Sequence, residues 1–286
     1  MRLAFLIPAP DYPVDWRWAY DAEAGALIDA GITVEPVSWT DPRDLSGFDL
    51  ILPLVAWGYH KHYKTWLAFL DRLERERLPV ANPTALLRWN GDKAYLAELG
   101  DQGIATVPTL AVESLDERAL RTARARFSCS ELVVKPSISA SAYGTYRLRE
   151  GDALPEPVRG CRMMVQPWLP GILDQGEYSL ILFDGELSHA LSKVPQPGEF
   201  RVQPEYGGII QRCDPPPGSE ELAQAALAAA PAPSTYARVD MVVSEAGELQ
   251  IMELELIEPA LFLDHAAAAG AAFSRAVLSA AERAGK

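Results

Sequence analysis

Arg238-Val-Asp-Met-Val-Val-Ser-Glu-Ala-Gly-Glu-Leu-Gln-Ile-Met-Glu253-Leu-Glu255-Leu-Ile-Glu-Pro259 sets carboxylates at alternate positions inside two strongly apolar strands. Alternate residues of a strand share a face, so Met252, Leu254 and Leu256 are expected in a core while Glu253 and Glu255 project together from the other side. Ser244-Glu-Ala-Gly-Glu reads as a hairpin turn, with Gly247 supplying a positive φ. With Ala246-Gly247 as a two-residue loop, Asp240 falls opposite Glu253 and Arg238 opposite Glu255; a bulged three-residue loop would shift that register by one. Three carboxylates on one face repel unless a cation lies among them, and Mg²⁺ accepts one or two carboxylates together with substrate phosphates. The plain alternative is the solvated outer face of an antiparallel sheet.

The rest of the chain bears on that choice. Its 286 residues, 49% of them apolar, suffice for two domains or for one with a lid. A net charge of −13 argues against broad adhesion to nucleic acid or to anionic lipid, and leaves room for a local basic pocket. Cys129, Cys161 and Cys213 are scattered and show no CxxC spacing, which fits a reduced, cytoplasmic setting. No apolar run is long enough to span a membrane, and Met1-Arg-Leu-Ala-Phe-Leu-Ile-Pro reads as a first buried strand rather than a signal peptide.

Strand and helix signals alternate over residues 1–83, predicting a small doubly wound, Rossmann-like α/β domain: strands at Arg2 to Ile7, Thr33 to Trp39 and Leu50 to Val55, helices at Ala19 to Ala30 and Lys64 to Arg77. It has no GxGxxG, so a dinucleotide site is not expected. Thr84 to Gly103 is helical in pattern. Residues 108–164 suit an α+β lid, and residues 84–107 with 165–286 form a C-terminal α+β core that includes the acidic hairpin.

Lys135 ends the strand Leu132-Val-Val-Lys-Pro and roots the small-residue loop Ser137-Ile-Ser-Ala-Ser-Ala-Tyr-Gly-Thr. Backbone N–H groups near Ser137, Ser139, Ser141 and Gly144 can there approach phosphate oxygens, although the loop also reads as a flexible connection and lacks a Walker pattern. Lys93 sits in Arg88-Trp-Asn-Gly-Asp-Lys. Met164-Val-Gln-Pro-Trp-Leu offers backbone acceptors around Gln166, Pro167, Trp168 and Leu169 to an adenine amino group, or serves as an ordinary hinge. Glu177 opens a later strand and can bind ribose hydroxyls or a lysine. Lys193, Arg201 and the Gly207-Gly208 pair add cations and a tight turn on the hairpin's half of the chain.

In order and kind these motifs resemble the ATP-grasp superfamily, glutathione-synthetase-like branch, over roughly residues 84–286. The resemblance implies that Lys93 and Lys135 hold nucleotide phosphates, that 164–169 is the adenine hinge, and that Gly198-Glu-Phe-Arg201…Gly207-Gly208 carries an arginine to the transferred phosphate. It also implies that Asp240, Glu253 and Glu255 bind Mg²⁺, with Mn²⁺ as a substitute, and that Pro259 is the proline that follows them. The family's asparagine is Glu255 here, one more negative charge. Val37-Ser-Trp-Thr-Asp, Asn82-Pro, Arg88-Trp-Asn-Gly-Asp-Lys-Ala-Tyr-Leu, Val107-Pro-Thr and Ser188-His-Ala-Leu-Ser-Lys are similar to the O-ureidoserine cyclo-ligase group. Leu54-Val-Ala before Trp57-Gly-Tyr stands where that group is expected to have an arginine.

The resemblance implies an ADP-forming carbon–nitrogen ligase: a small carboxylate takes the γ-phosphoryl group of ATP, and an amine displaces phosphate from the acyl phosphate. Lys193 and Arg201 are the expected catalytic cations, and Trp57, Tyr59, Arg201, Gly208 and Arg238 the substrate contacts, with Asp11, His60 and His62 as further candidates for the acceptor site at the interface with the N-terminal domain. His60 and His62 are also open to a small metal site or, more plainly, a solvated loop. A kinase, an intermolecular peptide ligase and a non-catalytic ATP-binding regulator are the competing readings, and a homodimer is compatible with the fold.

Overall fold

The structure is a computed structural model that describes residues 1–140, 143–199, 202 and 207–285. β1 (Arg2–Ile7), β2 (Thr33–Ser38) and β3 (Leu50–Leu52) form a parallel sheet in the order β2-β1-β3, crossed over by α1 (Arg17–Asp29) and followed by α2 (Tyr63–Arg75). Leu3 to Leu6 are fully buried, as a strand covered on both faces requires. β3 ends sooner than its apolar run because Pro53 has no N–H to give the ladder; Leu54, Val55 and Ala56 stay in the core without being strand. Val80 then bridges Ile51 in parallel.

The helical pattern after Thr84 is two helices, α3 (Thr84–Asn90) and α4 (Tyr95–Asp101). Between them the chain stays tight against α2: a Cβ on Gly91 would come within 2.9 Å of the Tyr63 hydroxyl. A four-stranded sheet follows, built from β4 (Leu110–Val112), β5 (Leu132–Pro136), β6 (Tyr146–Leu148) and β7 (Met163–Pro167) in the order β4-β7-β5-β6. Its helix α5 (Glu117–Phe127) is N-capped by Asp116, which accepts from Ala119 N at 2.7 Å. β7 keeps its pairing through Pro167, three residues past the 164/165 boundary drawn from sequence.

The remaining sheet is antiparallel, β10-β9-β8-β11-β12, from β8 (Glu177–Phe183), β9 (Glu186–Val194), β10 (Ile209–Cys213), β11 (Tyr236–Val243) and β12 (Leu249–Glu255), with α6 (Ser219–Ala228) and α7 (Ala269–Ala284) packed on it. α7 does not serve this sheet alone. Phe273 and Val277 share one buried cluster with Leu3, Phe5 and Leu27 of the first sheet's layer and with Ile181 and Phe183 of β8, so the N-terminal unit and the five-stranded sheet are joined by a common core.

The hairpin settles its register in an unexpected way. Ser244 N donates to Glu248 O at 2.8 Å, and Val243 pairs with Leu249, so the loop is the three-residue kind, 245–247. That loop alone would have displaced the charges by one. A bulge at Met252 restores them: Met241 pairs with Ile251, but Asp240 pairs with Glu253 and Arg238 with Glu255. The extra residue also turns Met252 out of the core, where alternation had placed it, onto a cavity wall, and Ile251 takes the core position. Among the described residues no helix is long and apolar enough to cross a membrane.

Candidate active site

β12 is an edge strand, and three side chains from the connector hold its free edge. Asn90 donates to Leu254 O (2.8 Å) and accepts from Leu256 N (2.9 Å); the Tyr95 hydroxyl lies 2.9 Å from Leu254 O and 2.8 Å from Leu254 N. Asn82, fully buried, donates to Tyr236 O and Leu256 O, both at 2.9 Å. Val107 N and Ala105 O complete the edge on Ile251. Arg88-Trp-Asn-Gly-Asp-Lys-Ala-Tyr95, read as the setting of a lysine, is therefore also the clamp that fixes Glu253 and Glu255 in place.

The same turn aims Lys93. Its backbone N donates to Ser137 O (2.8 Å), its ammonium donates to Ser139 O (2.7 Å), and it pairs with Glu253 at 2.7 Å. Burial opposes its charge, but Glu253 and then Glu255 outweigh burial and raise its pKa. Lys135 is buried too and has no ion-pair partner among the described residues. Burial lowers its pKa, and its ammonium faces the cavity as a cation awaiting an anion.

Across the hairpin, Arg238 forks onto both oxygens of Asp240 (3.0 and 2.9 Å) and also binds Glu255. The added negative charge at Glu255 thus meets its own counter-ion on the facing strand. Lys193 bridges Glu177 (2.9 Å) and Asp240 (3.4 Å), so of Glu177's two expected partners the structure supplies the lysine. Burial pushes Asp240 upward, yet Arg238 and Lys193 together hold it well below the usual carboxylate range. Glu177 and Glu255, with weaker compensation, are raised by burial.

These groups line one cavity of about 1070 Å³. Gln166, Pro167, Trp168 and Leu169 wall it, as do Ser139 and Trp57. Arg147 stacks on Trp168, its Cζ 4.0 Å from the ring centre. Some expected residues do not line it. Tyr59 is buried against Trp66 in the N-terminal core, because apolar contact outcompetes exposure of its ring. Ser137 and Gly144 support the loop from behind, and Gly208 and Asp11 lie off the wall. Ser141 and Arg201 fall outside the described residues. Leu54, Val55 and Ala56, in the place of the expected arginine, are sealed in core. His60 lines the cavity, held neutral at a pKa of about 4 by burial and then by Lys61, Lys93 and His62. His189 is structural, its Nε2 3.1 Å from Leu261 O.

The wall also holds Glu23 and Glu258, which were not picked out from sequence. Glu258 follows the Glu-x-Glu pair by three residues, and Glu23 falls on the apolar stripe of α1 with Ala19 and Leu27. An acid on a buried stripe is the signal that was legible.

The oxygen donors suit Mg²⁺. Asp240, Glu253 and Glu255 sit on one hairpin face beside Lys135, and the cations Lys93 and Arg238 lie among them. Among the described residues no three His, Cys, Asp or Glu converge so as to hold a metal ion by themselves; Mg²⁺ takes one or two carboxylates and completes its shell with phosphate and water.

Residues 6–82 match the family model described as D-cycloserine synthetase DcsG, N-terminal domain. The cycloserine biosynthesis protein DcsG of Streptomyces lavendulae is 30% identical over 281 residues, 91% of this chain and 92% of that protein. The chain belongs to the DcsG family of ATP-grasp proteins. The crystal structure of D-cycloserine synthetase DcsG superposes with a TM-score of 0.84 at 28% identity, covering 99% of this chain and all of the other. Glutathione synthetase of Ralstonia nicotianae is 28% identical over 177 residues, 59% of this chain and 52% of that enzyme. D-alanine–D-alanine ligase of Bacillus anthracis shares the fold, TM-score 0.73 at 19% identity over 99% of this chain and 97% of that one. The DcsG-family chain is an ADP-forming carbon–nitrogen ligase that couples a carboxylate to an amine with ATP and Mg²⁺.

Proposed function

We propose that this enzyme closes a ring within a single amino-acid derivative of the O-ureidoserine type: the substrate's carboxylate becomes an acyl phosphate, and a nitrogen of the same molecule displaces phosphate to form a cyclic amide. The observation that carries this reading is one continuous cavity running from the hinge residues Gln166–Leu169, past Lys93, Lys135 and the acidic hairpin, to Trp57 and α1. Nucleotide, phosphates and a small acceptor then share one chamber walled off by a common core, beside 30% identity over nearly the whole chain to a cycloserine biosynthesis protein.

Phosphoryl transfer depends on positioning and on neutralising charge, and each residue has a part in that. Lys135 and Lys93 hold the phosphates. Lys193 keeps Glu177 and Asp240 in place and shares the charge of the transferred group, Arg201 meets the developing acyl phosphate, and Arg238 orients Asp240 and Glu255. Asp240, Glu253 and Glu255 would hold Mg²⁺, which when bound neutralises phosphate oxygens. Trp57 bounds the acceptor. The chain is read as residues 1–83, a core of 84–107 with 165–286, and a lid of 108–164. Its expected setting is the cytoplasm, as a homodimer acting on small molecules and not on nucleic acid.

The test is ADP release with Mg·ATP against amino-acid derivatives, singly and in pairs, with product masses. Turnover of O-ureidoserine or a close analogue alone, giving a cyclic product, is the expected result. Turnover only with pairs would make the enzyme an intermolecular ligase, and a phosphorylated end product would make it a kinase.

A further inference from the structure

Glu23 is 2% exposed, yet it stands on the wall of the cavity between the small residues Ala19 and Ala22 and the segment that follows the acidic hairpin. Its Oε1 accepts from Leu261 N at 3.3 Å. Its Oε2 is buried with no hydrogen-bond partner. Of the wall's other carboxylates, Asp240 is met by Arg238 and Lys193, Glu177 by Lys193, Glu253 by Lys93 and Glu255 by Arg238, while Glu258 has no described ion pair but leaves no buried oxygen without a hydrogen-bond partner. No described cation pairs with Glu23, and burial raises its pKa well above the ordinary range.

An unmet buried carboxyl oxygen costs about 1–3 kcal/mol, and at a position flanked by alanines an apolar residue would avoid that cost. A carboxyl here is explained by a ligand that brings the missing donor. The proposed substrate offers one: in closing a ring through its carboxylate and a side-chain nitrogen, it leaves its α-ammonium unreacted and in need of a counter-charge. We infer that Glu23 determines specificity in the acceptor subsite, Oε2 receiving the substrate's α-ammonium while Oε1 stays on the Leu261 N–H. This inference rests on the ring-closure reading above.

The experiment compares wild type with Glu23→Gln, which keeps the shape and the Leu261 bond, on O-ureidoserine and on its counterpart with hydroxyl in place of the α-ammonium. Loss of a charge-assisted hydrogen bond predicts that Glu23→Gln lowers kcat/KM for the ammonium form by about 10- to 100-fold, chiefly through KM, and barely changes the hydroxyl form. The KM for ATP and the melting temperature should stay at their wild-type values. An unchanged preference for the ammonium form overturns the role of Glu23 and leaves ring closure standing. A wild-type enzyme silent on every single compound instead sinks ring closure. Glu23 is then judged by equilibrium binding of serine against glyceric acid to enzyme saturated with a non-hydrolysable ATP analogue, where loss of the serine preference in Glu23→Gln supports the inference and its persistence overturns it.

Discussion

The two ends of the cavity are built on opposite electrostatic plans. Around the acidic hairpin most buried charges have a partner within the protein: Arg238, Lys193 and Lys93 meet Asp240, Glu177, Glu253 and Glu255, and among the described residues Lys135 and Glu258 line the cavity without an ion pair. On the N-terminal wall the side chains are largely apolar or uncharged, with Trp18 packed on Trp57 at 5.8 Å, His60 neutral, and Glu23 without a cation. A network of compensated charge can be preorganised before any ligand arrives and then exchange partners with phosphate and metal. A nearly neutral wall with one unmet carboxyl waits for its ligand to supply the charge. The first arrangement favours transition-state stabilisation, the second selection.

That contrast can be broken first at the metal. Chelation with EDTA should abolish ADP release and leave the melting temperature of the empty protein within about a degree, because the carboxylates are already neutralised by Arg238, Lys193 and Lys93. A collapse of the fold on chelation would make the ion structural. Next in size, Asp240→Asn removes the group that Arg238 and Lys193 share; steady-state kinetics should show kcat lower by roughly 100-fold or more, and retained activity would take Asp240 out of the site.

Asn90→Leu addresses the clamp. It leaves Leu256 N without its partner, at about 1–3 kcal/mol, while Leu254 O keeps the Tyr95 hydroxyl; the loss is measurable as a lower urea midpoint, with turnover falling as Glu253 and Glu255 lose part of their fixed edge. Stability equal to wild type would mean the edge is held by Tyr95 and residues 105–107 alone. The last effect belongs to the neutral wall and is read as a pH dependence. His60 has a folded pKa of about 4 against an ordinary 6.5, so between those values the unfolded chain binds more protons and stability declines as pH falls from about 6.5 towards 4. His60→Phe should flatten that part of the pH–stability curve; an unaltered slope would assign it to other groups.

Much of the arrangement around the acidic hairpin was legible in the chain, because local rules govern it. Alternation in Glu253-Leu-Glu255 and the root position of Lys135 in Leu132-Val-Val-Lys place charges by strand period alone. The bulge at Met252 was not legible. Its effect, cancelling the three-residue loop, depends on which of two registers the neighbouring strands and the Asn90–Tyr95 clamp accept. The N-terminal wall was read less well for a related reason. Tyr59 and Trp57 are two residues apart and both aromatic, yet one is core and the other wall, and their distant partners separate the two: Trp66 for Tyr59, Trp18 and the Glu258 carbonyl for Trp57. Glu23 shows the same limit, an acid on an apolar helical stripe whose meaning depends on what lies across from it.

By itself, then, the sequence determined the inventory and the order: alternating strands and helices, a small-residue loop behind a lysine, and carboxylates spaced by two along a strand, each the consequence of backbone period and side-chain chemistry within a few residues. Tertiary structure decided which of those charges neutralise one another and which are left open to a ligand. Coulomb energy and desolvation depend on distance and burial across the chain, and the contacts that set them, such as Arg238 on Glu255, Lys93 on Glu253 and Leu261 on Glu23, join residues from 17 to 238 positions apart.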